Sequence, residues 1–148
     1  MAVDKCAAGT AVALLAGMVG NRPLHILVVD DDENMRVLWQ RRLRGYRLTV
    51  AENGRQALEL LSPDVDVILS DLEMPVLDGI GLLREATHEF PGVTRYLCTG
   101  AQPELAQAAI DEGIADRYFA KPDHLRAVVQ ALEELPPRLH PVVVGGAA

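Results

Sequence analysis

The sequence predicts an α/β fold in which five strands form one parallel sheet and helices cover both of its faces. Short apolar runs alternate five times with longer segments whose apolar residues recur at helical spacing. The first of these runs, His25–Val29, is continuously apolar over its last four residues, which is typical of a strand that is buried on both faces of a parallel sheet. Strict alternation of strand and helix indicates right-handed crossovers and therefore a doubly wound arrangement.

The first two strand–helix units follow directly from this pattern. The run His25–Val29 is predicted to be the first strand, and Glu33–Arg44 the first helix, which Gly45 ends. The second strand is predicted over Arg47–Ala51 and the second helix over Gly54–Leu61, where a Ser-Pro pair stops it.

Three more units complete the predicted sheet. A loop rich in proline and glycine separates the third strand from its helix, and a proline opens the fourth helix at a position that tolerates it. The predicted elements are the strand Val65–Ser70, a helix marked by Ile80, Leu83, Thr87 and Phe90, the strand Thr94–Thr99, the helix Pro103–Glu112, the strand Arg117–Ala120 and a helix along Leu125, Val128, Val129, Leu132 and Leu135.

Composition excludes several classes of protein. The 148 residues are about half apolar, which predicts one domain whose core needs neither disulfides nor structural zinc. A net charge of −7 disfavours binding to nucleic acid or to an anionic membrane surface. Cys6 and Cys98 lack metal-ligand spacing, and Cys98 lies in an apolar run, so we expect a reducing, cytoplasmic compartment.

The two ends of the chain lack the strand–helix pattern. The apolar stretch Ala7–Gly20 is shorter than the roughly 20 residues that span a bilayer. It resembles a signal-peptide core, but Lys5 is the only basic residue before it, Asp4 offsets that charge, and no clear cleavage site follows. We expect a flexible extension over residues 1–23, one domain over 24–135 and a flexible tail over 136–148. Since thirteen residues follow Leu135, too few to fold, we expect the domain to act alone.

Chemically active side chains stand where four of the predicted strands end. The carboxyl ends of parallel strands share one edge of a sheet, and ligands bind beyond that edge. The residues placed there are Asp30, Asp31 and Asp32 after the first strand, Asp71 after the third, Thr99 at the end of the fourth and Lys121 after the fifth.

This set of side chains suits phosphoryl transfer. Crowded carboxylates stay ionised only if a cation joins them, and oxygen ligands favour Mg²⁺, which also binds phosphate oxygens. Lys121 supplies positive charge and Thr99 a hydrogen-bond donor, and both can reach a phosphoryl oxygen. Because such transfer needs mainly positioning and charge neutralisation, one aspartate is predicted to be the nucleophile.

Five motifs at these positions together resemble the receiver domains of two-component response regulators, the chemotaxis-receiver-like family. They are Val28-Val29-Asp30-Asp31, Asp71-Leu72-Glu73-Met74-Pro75, Asp78-Gly79, Leu97-Cys98-Thr99-Gly100 and Phe119-Ala120-Lys121-Pro122. Each motif alone is weak, but all five in order at predicted strand ends are specific. The resemblance runs from about Leu24 to Leu135 and implies a flavodoxin-like doubly wound (βα)5 fold.

The resemblance also implies a role for each acidic residue. Asp71 would accept a phosphoryl group from a histidine kinase or a histidine phosphotransfer protein, as part of a phosphorelay. Asp31 and Asp71 would bind Mg²⁺ directly, together with the backbone carbonyl of Glu73, and Asp30 would hold a metal-bound water. Such a chain is a signalling phosphoacceptor rather than an enzyme, since it would catalyse only its own phosphorylation and dephosphorylation.

By the same resemblance, Thr99 and Lys121 would contact the phosphoryl group, and Tyr118 matches the aromatic switch position. Movement of Thr99 and Tyr118 would change the face formed by helix 4, strand 5 and helix 5. A downstream protein would bind that face, and a homodimer could also form through it. Gly100 departs from the Ala or Ser of many receivers and leaves this loop more backbone freedom.

Three rival functions fit part of the pattern. A receiver-fold interaction module that is never phosphorylated usually lacks an acid or the lysine, and neither is missing here. A haloacid-dehalogenase-like phosphatase would use Asp30 as nucleophile, with Asp32 completing a D-x-D motif, but the chain lacks room for a cap domain. A flavodoxin-like cofactor binder needs a phosphate loop after strand 1, where three aspartates would repel phosphate.

Other residues have simple structural explanations. Asp32 is expected to cap the first helix, and Pro75 and Gly79 to shape the loop after Asp71. The four histidines form no pattern. The apolar face of helix 4 is left open as core or interface; it comprises Leu105, Ala106, Ala109 and Ile110.

Overall fold

A computed structural model describes residues 22–136 and contains one five-stranded parallel sheet with strand order β2-β1-β3-β4-β5. The predicted alternation of strands and helices is confirmed. The strands are β1 (His25–Val29), β2 (Arg47–Ala51), β3 (Val67–Asp71), β4 (Thr94–Thr99) and β5 (Arg117–Ala120). The helices are α1 (Glu33–Arg42), α2 (Gly54–Leu60), α3 (Gly79–Glu89), α4 (Pro103–Asp111) and α5 (His124–Glu134).

Some element boundaries differ from those predicted. The third strand was expected over Val65–Ser70, but Val65 donates its N–H to the Ser62 carbonyl (3.1 Å) in a turn, so the strand begins at Val67. It also continues through Asp71, which pairs with Cys98 of β4. The first helix ends two residues before the predicted Arg44, the second one residue before Leu61 and the fourth one residue before Glu112.

Three helices begin at residues whose side chains accept a backbone hydrogen bond. Asp32 caps α1 by accepting from the N–H of Asn34, as the sequence predicts. Asn53 caps α2, and Asp78 caps α3 by accepting from the N–H of Gly81 at 2.7 Å. These caps fix where each helix leaves the sheet edge, because they satisfy N–H groups that have no partner within the helix.

Alternate side chains of the strands enter two separate cores. One core lies between the sheet and α2, α3 and α4, and includes Leu27, Ile68, Leu83 and Leu97. The other lies between the sheet and α1 and α5, and includes Ile26, Val28, Trp39, Leu69 and Val128. This division follows from the period of two along a strand, which sends neighbouring side chains to opposite faces.

The face of α4 that the sequence left open is divided between core and surface. Ala106 and Ala109 are buried in the core with α2 and α3, and Ile110 packs partly against that core. Leu105 keeps 43% of its surface exposed. The two alanines of this face are therefore core, Ile110 is partly buried, and Leu105 is the most exposed of the four.

The predicted extensions, residues 1–23 and 136–148, lie outside the described residues except for residues 22, 23 and 136. Cys6 also lies outside them. Cys98 is buried and free, as expected from its apolar run. Among the helices of residues 22–136, none has the length and apolar character that crossing a membrane requires.

Candidate functional site

Three aspartates converge at the carboxyl edge of the sheet. Asp30 follows β1 and Asp71 ends β3, and these two strands are hydrogen-bonded neighbours in register. Asp30, Asp31 and Asp71 each offer a carboxylate oxygen, and these oxygens lie within 4.8 Å of one another. Asp30 and Asp71 are buried, whereas Asp31 is exposed. The predicted acidic cluster is therefore present, with one side open to solvent.

Lys121 supplies the positive charge at this edge. Its Nζ lies 2.6 Å from Oδ1 of Asp71, and its backbone N–H donates to the carbonyl of Thr99 at 2.9 Å. Burial lowers the pKa of Lys121, but the hydrogen bond to Asp71 and the negative charges of Asp71 and Asp30 together outweigh burial and raise the pKa above its usual value. The ammonium is thus charged at neutral pH and points at the carboxylate predicted to be the nucleophile.

One lysine does not balance these carboxylates. Burial raises the pKa of Asp71 to about 6, although the hydrogen bond from Lys121 opposes this shift. Burial also raises the pKa of Asp30, which accepts a hydrogen bond from the backbone N–H of Asp32 at 2.9 Å. Carboxylates with raised pKa values and only oxygen ligands on offer fit a hard divalent cation such as Mg²⁺.

The carboxylate of Asp32 takes no part in the cluster, although the backbone N–H of Asp32 donates to Asp30. Asp32 is exposed, and its carboxylate accepts from the N–H of Asn34 at the start of α1. The D-x-D arrangement of a dehalogenase-like phosphatase would need Asp32 beside Asp30, so this geometry disfavours that rival.

Thr99 is held by the side chain of Glu73, a contact that no sequence pattern predicts. The Thr99 hydroxyl, on a residue that is 1% exposed, donates to Oε1 of Glu73 at 2.6 Å. The backbone N–H of Ala101 donates to the same oxygen at 3.3 Å. Burial would raise the pKa of Glu73, but the hydrogen bonds from Thr99 and from the backbone N–H groups of Ala101 and Glu73, together with the charge of Lys121, outweigh burial and hold the pKa below its usual value. The resemblance assigned only the backbone carbonyl of Glu73, and no spacing in the sequence indicates where a loop side chain points.

The loop between β3 and α3 is fixed at its end by Gly79. The N–H of Gly79 donates to the carbonyl of Leu72 at 3.0 Å. A Cβ at Gly79 would lie 2.4 Å from the carbonyl oxygen of Asp71, so only glycine fits there. In the middle of the loop, Val76 is 83% exposed and has a φ of 72°. An open cavity of about 420 Å³ borders the loop and reaches Gln102.

Tyr118 lies one strand away from Thr99. It is half-buried in β5, paired in register with Leu97, and packs against the core beneath α4. Leu97 and Thr99 face the same side of β4, so Tyr118 shares that side with both. The structure thus brings together Asp30, Asp31, Asp71, Thr99 and Lys121, and places Tyr118 in the neighbouring strand.

The comparison with protein families gives one match that covers most of the chain. The model described as "Response regulator receiver domain" matches residues 26–133. Among curated proteins, the transcriptional regulatory protein GlrR of Escherichia coli (strain K12) is 34% identical over 121 residues, covering 78% of this chain and 27% of GlrR. CpxR of Klebsiella pneumoniae is 36% identical over 119 residues, covering 78% of this chain and 50% of CpxR. The chain thus spans between a quarter and a half of these relatives.

Solved structures show the same likeness. The signal receiver domain of an HD domain-containing protein from Pseudomonas fluorescens Pf-5 superposes with a TM-score of 0.70 at 36% identity, covering 76% of this chain and 94% of that chain. A response regulator receiver domain protein from Clostridium thermocellum also gives 0.70, at 27% identity, covering 74% and 91%.

Proposed function

This chain belongs to the response regulator receiver domain family, and from that premise we propose that Asp71 accepts a phosphoryl group in a Mg²⁺-dependent reaction. The observation that supports this most strongly is the convergence of Asp30, Asp31 and Lys121 on the buried carboxylate of Asp71. These groups supply the charge neutralisation and the positioning on which phosphoryl transfer depends.

The reaction begins with Asp71 as an anion. Its pKa of about 6 leaves the carboxylate mostly ionised at neutral pH. A carboxylate oxygen attacks the phosphorus of a phosphohistidine, an O–P bond forms, and the P–N bond breaks. The bonding electrons return to that imidazole nitrogen, and because the other ring nitrogen of the phosphohistidine already carries a proton, the imidazole leaves as a neutral group. Lys121 and the hydroxyl of Thr99 then bind the phosphoryl oxygens.

The acidic cluster is suited to hold the metal ion. We propose that Asp31 and Asp71 bind Mg²⁺ directly, with the backbone carbonyl of Glu73, and that Asp30 holds a metal-bound water. When bound, the ion would neutralise charge on the carboxylates and on the phosphoryl oxygens. Asp31 is the exposed member of the cluster. The cluster is therefore open to solvent on the side of Asp31, and a phosphoryl donor can approach from there.

Partners follow from the same proposal. We propose a histidine kinase or a histidine phosphotransfer protein as the donor, and a downstream protein as the reader of the face formed by α4, β5 and α5. Four further expectations stay predictions. They are a homodimer through that face, a receiver domain limited to residues 24–135, a cytoplasmic location and action as a single domain. Since the chain spans a quarter to a half of its curated relatives, the activity of a whole protein is also a proposal.

Labelling with a small phosphoryl donor tests the function. Acetyl phosphate with Mg²⁺ should add one phosphoryl group to the wild-type protein, measured by intact mass, and omission of Mg²⁺ should prevent it. Asp71→Asn should abolish labelling and Asp31→Ala should nearly abolish it. The matched control is Asp111→Asn, an exposed aspartate on α4, which should label as the wild type does. Full labelling of Asp71→Asn would overturn the proposal and point to Asp30.

A further inference from the structure

The hydroxyl of Thr99 is already engaged in this structure. It donates to Oε1 of Glu73 at 2.6 Å, and Thr99 is buried. The N–H of Ala101, two residues further along the loop between β4 and α4, donates to the same oxygen at 3.3 Å. One carboxylate oxygen therefore binds two successive parts of that loop.

A hydroxyl group carries a single proton that it can donate. Thr99 cannot donate to Glu73 and to a phosphoryl oxygen on Asp71 at the same time. We propose that Glu73 is a positioning residue whose carboxylate holds Thr99 and Ala101 in the unphosphorylated arrangement and competes with the phosphoryl group for the Thr99 hydroxyl. This inference rests on the proposed function, because it needs Asp71 to be the phosphoacceptor.

The strength of the contact is consistent with an ionised acceptor. An O–H donor lies about 2.5–2.7 Å from a charged oxygen, compared with about 2.7–2.8 Å from a neutral one. The distance of 2.6 Å between Thr99 and Glu73 falls in the charged range. Breaking the contact therefore opposes phosphorylation measurably.

The contact also extends to the start of α4. The N–H of Gln102 donates to Oγ1 of Thr99 at 3.2 Å. Gln102 is the N-cap residue of α4, and its own side chain makes no capping hydrogen bond. Thr99 thus connects Glu73 to the first turn of α4. When Thr99 turns to a phosphoryl group, the loop loses its bonds to Glu73 and α4 loses its bond to Thr99.

A double-mutant cycle tests the competition. The measured quantity is the affinity for beryllofluoride, a phosphoryl mimic, in the presence of Mg²⁺, for wild type, Glu73→Ala, Thr99→Val and the double variant. Glu73→Ala should bind the mimic about 10-fold more tightly than the wild type. In the Thr99→Val background, where no hydroxyl is left to compete for, the gain should fall to about twofold or less.

Two controls separate the contact from general electrostatics. Glu104→Ala removes an exposed carboxylate from the first turn of α4 and should leave the affinity unchanged. Glu73→Gln keeps a hydrogen-bond acceptor but removes the charge, so its affinity for beryllofluoride should lie between the affinities of wild type and Glu73→Ala. In the protein without the mimic, the amide hydrogen of Ala101 should exchange faster in Glu73→Ala than in wild type.

The outcomes distinguish the two proposals. If wild type fails to bind beryllofluoride with Mg²⁺, the proposed function is overturned, and this inference with it. Suppose instead that wild type binds and that Glu73→Ala raises the affinity equally in the wild-type and Thr99→Val backgrounds. Charge repulsion then explains the higher affinity, and only the proposed competition for the Thr99 hydroxyl is overturned. An unchanged affinity in folded Glu73→Ala and Glu73→Gln, each checked by a thermal melt, overturns it as well.

Discussion

The two ends of the parallel sheet both collect aspartates, but they surround them differently. At the amino end, Asp66 accepts from the backbone N–H of His25 at 2.8 Å, and Asp116 accepts from the backbone N–H of Arg95 at 2.7 Å. Asp64 lies against the guanidinium of Arg47 and, at 3.2 Å, against the ring of His25. Each aspartate of this group thus has a cation or a backbone donor beside it.

Arg95 shows how the amino end satisfies a buried charge. Its side chain is 10% exposed, and its guanidinium donates to the carbonyls of Ile114 and Val93, both at 2.8 Å. At the carboxyl end, the carboxylates of Asp30, Asp31 and Asp71 converge within 4.8 Å of one another, and Lys121 forms an ion pair with Asp71 alone among them. The difference teaches that charges satisfied within the fold indicate a structural role, whereas unbalanced charges that converge indicate a place for a ligand.

The largest expected loss of stability comes from a substitution at the amino end of the sheet. Arg95→Met should lower the free energy of unfolding by about 3 kcal/mol, because it leaves buried carbonyls without their charged donor. Urea unfolding followed by circular dichroism measures this. Mg²⁺ affinity of the folded variant should stay within about twofold of wild type. A change in Mg²⁺ affinity well beyond about twofold in the folded variant would show that the two ends of the sheet are coupled.

Addition of Mg²⁺ should stabilise the carboxyl end of the sheet. At a Mg²⁺ concentration roughly 100-fold above the dissociation constant, the wild-type protein should gain about 2–3 kcal/mol of stability. Asp31→Asn should lose most of this gain, since it removes a proposed direct ligand. Asp116→Asn, at the other end, should keep it. Equal gains in the two variants, read from thermal melts with and without Mg²⁺, would contradict a metal site at the acidic cluster.

A smaller effect is expected from pH in the absence of divalent cations. Asp71 has a folded-state pKa of about 6, raised by burial above the value of 3.8 for an unperturbed aspartate. The folded state therefore binds the proton more tightly than the unfolded state. The resulting stability is fully present below pH 3.8 and is lost as pH rises through about 6.

Between pH 7 and pH 5, the stability of the metal-free wild-type protein should therefore rise by about 1 kcal/mol relative to Asp71→Asn. Urea unfolding of both proteins in EDTA at the two pH values provides the measurement. A parallel pH dependence of the two proteins would show that Asp71 is not the group whose proton is linked to folding.

Sequence patterns predicted most of the fold, and the exceptions have physical causes. Four strands have the predicted bounds. In β1 and in the middle of β4 an apolar run coincides with burial, whereas β2 and β5 are the edge strands of the sheet and are partly exposed. β3 differs because Val65 is apolar yet lies in a turn, and Asp71 is polar yet pairs with β4. Strand pairing depends on the neighbouring chain, which a local pattern does not describe.

For the site, the position of residues was easier to predict than their contacts. Strand ends predict that Asp30, Asp71 and Lys121 meet, since parallel strands end at one edge. The roles given to them stay predictions. The side chain of Glu73 was missed because the direction of a loop side chain is set by its tertiary surroundings, here the hydroxyl of Thr99.

The division of side chains between two cores has a consequence for how the protein unfolds. In the central strand β3, Ile68 enters one core while its neighbours Val67 and Leu69 enter the other. Neither core can lose its strand without disrupting the other, so the cores are expected to melt in one cooperative transition. Trp39, the single tryptophan of the sequence, lies in one core. Its fluorescence should nonetheless follow the loss of both.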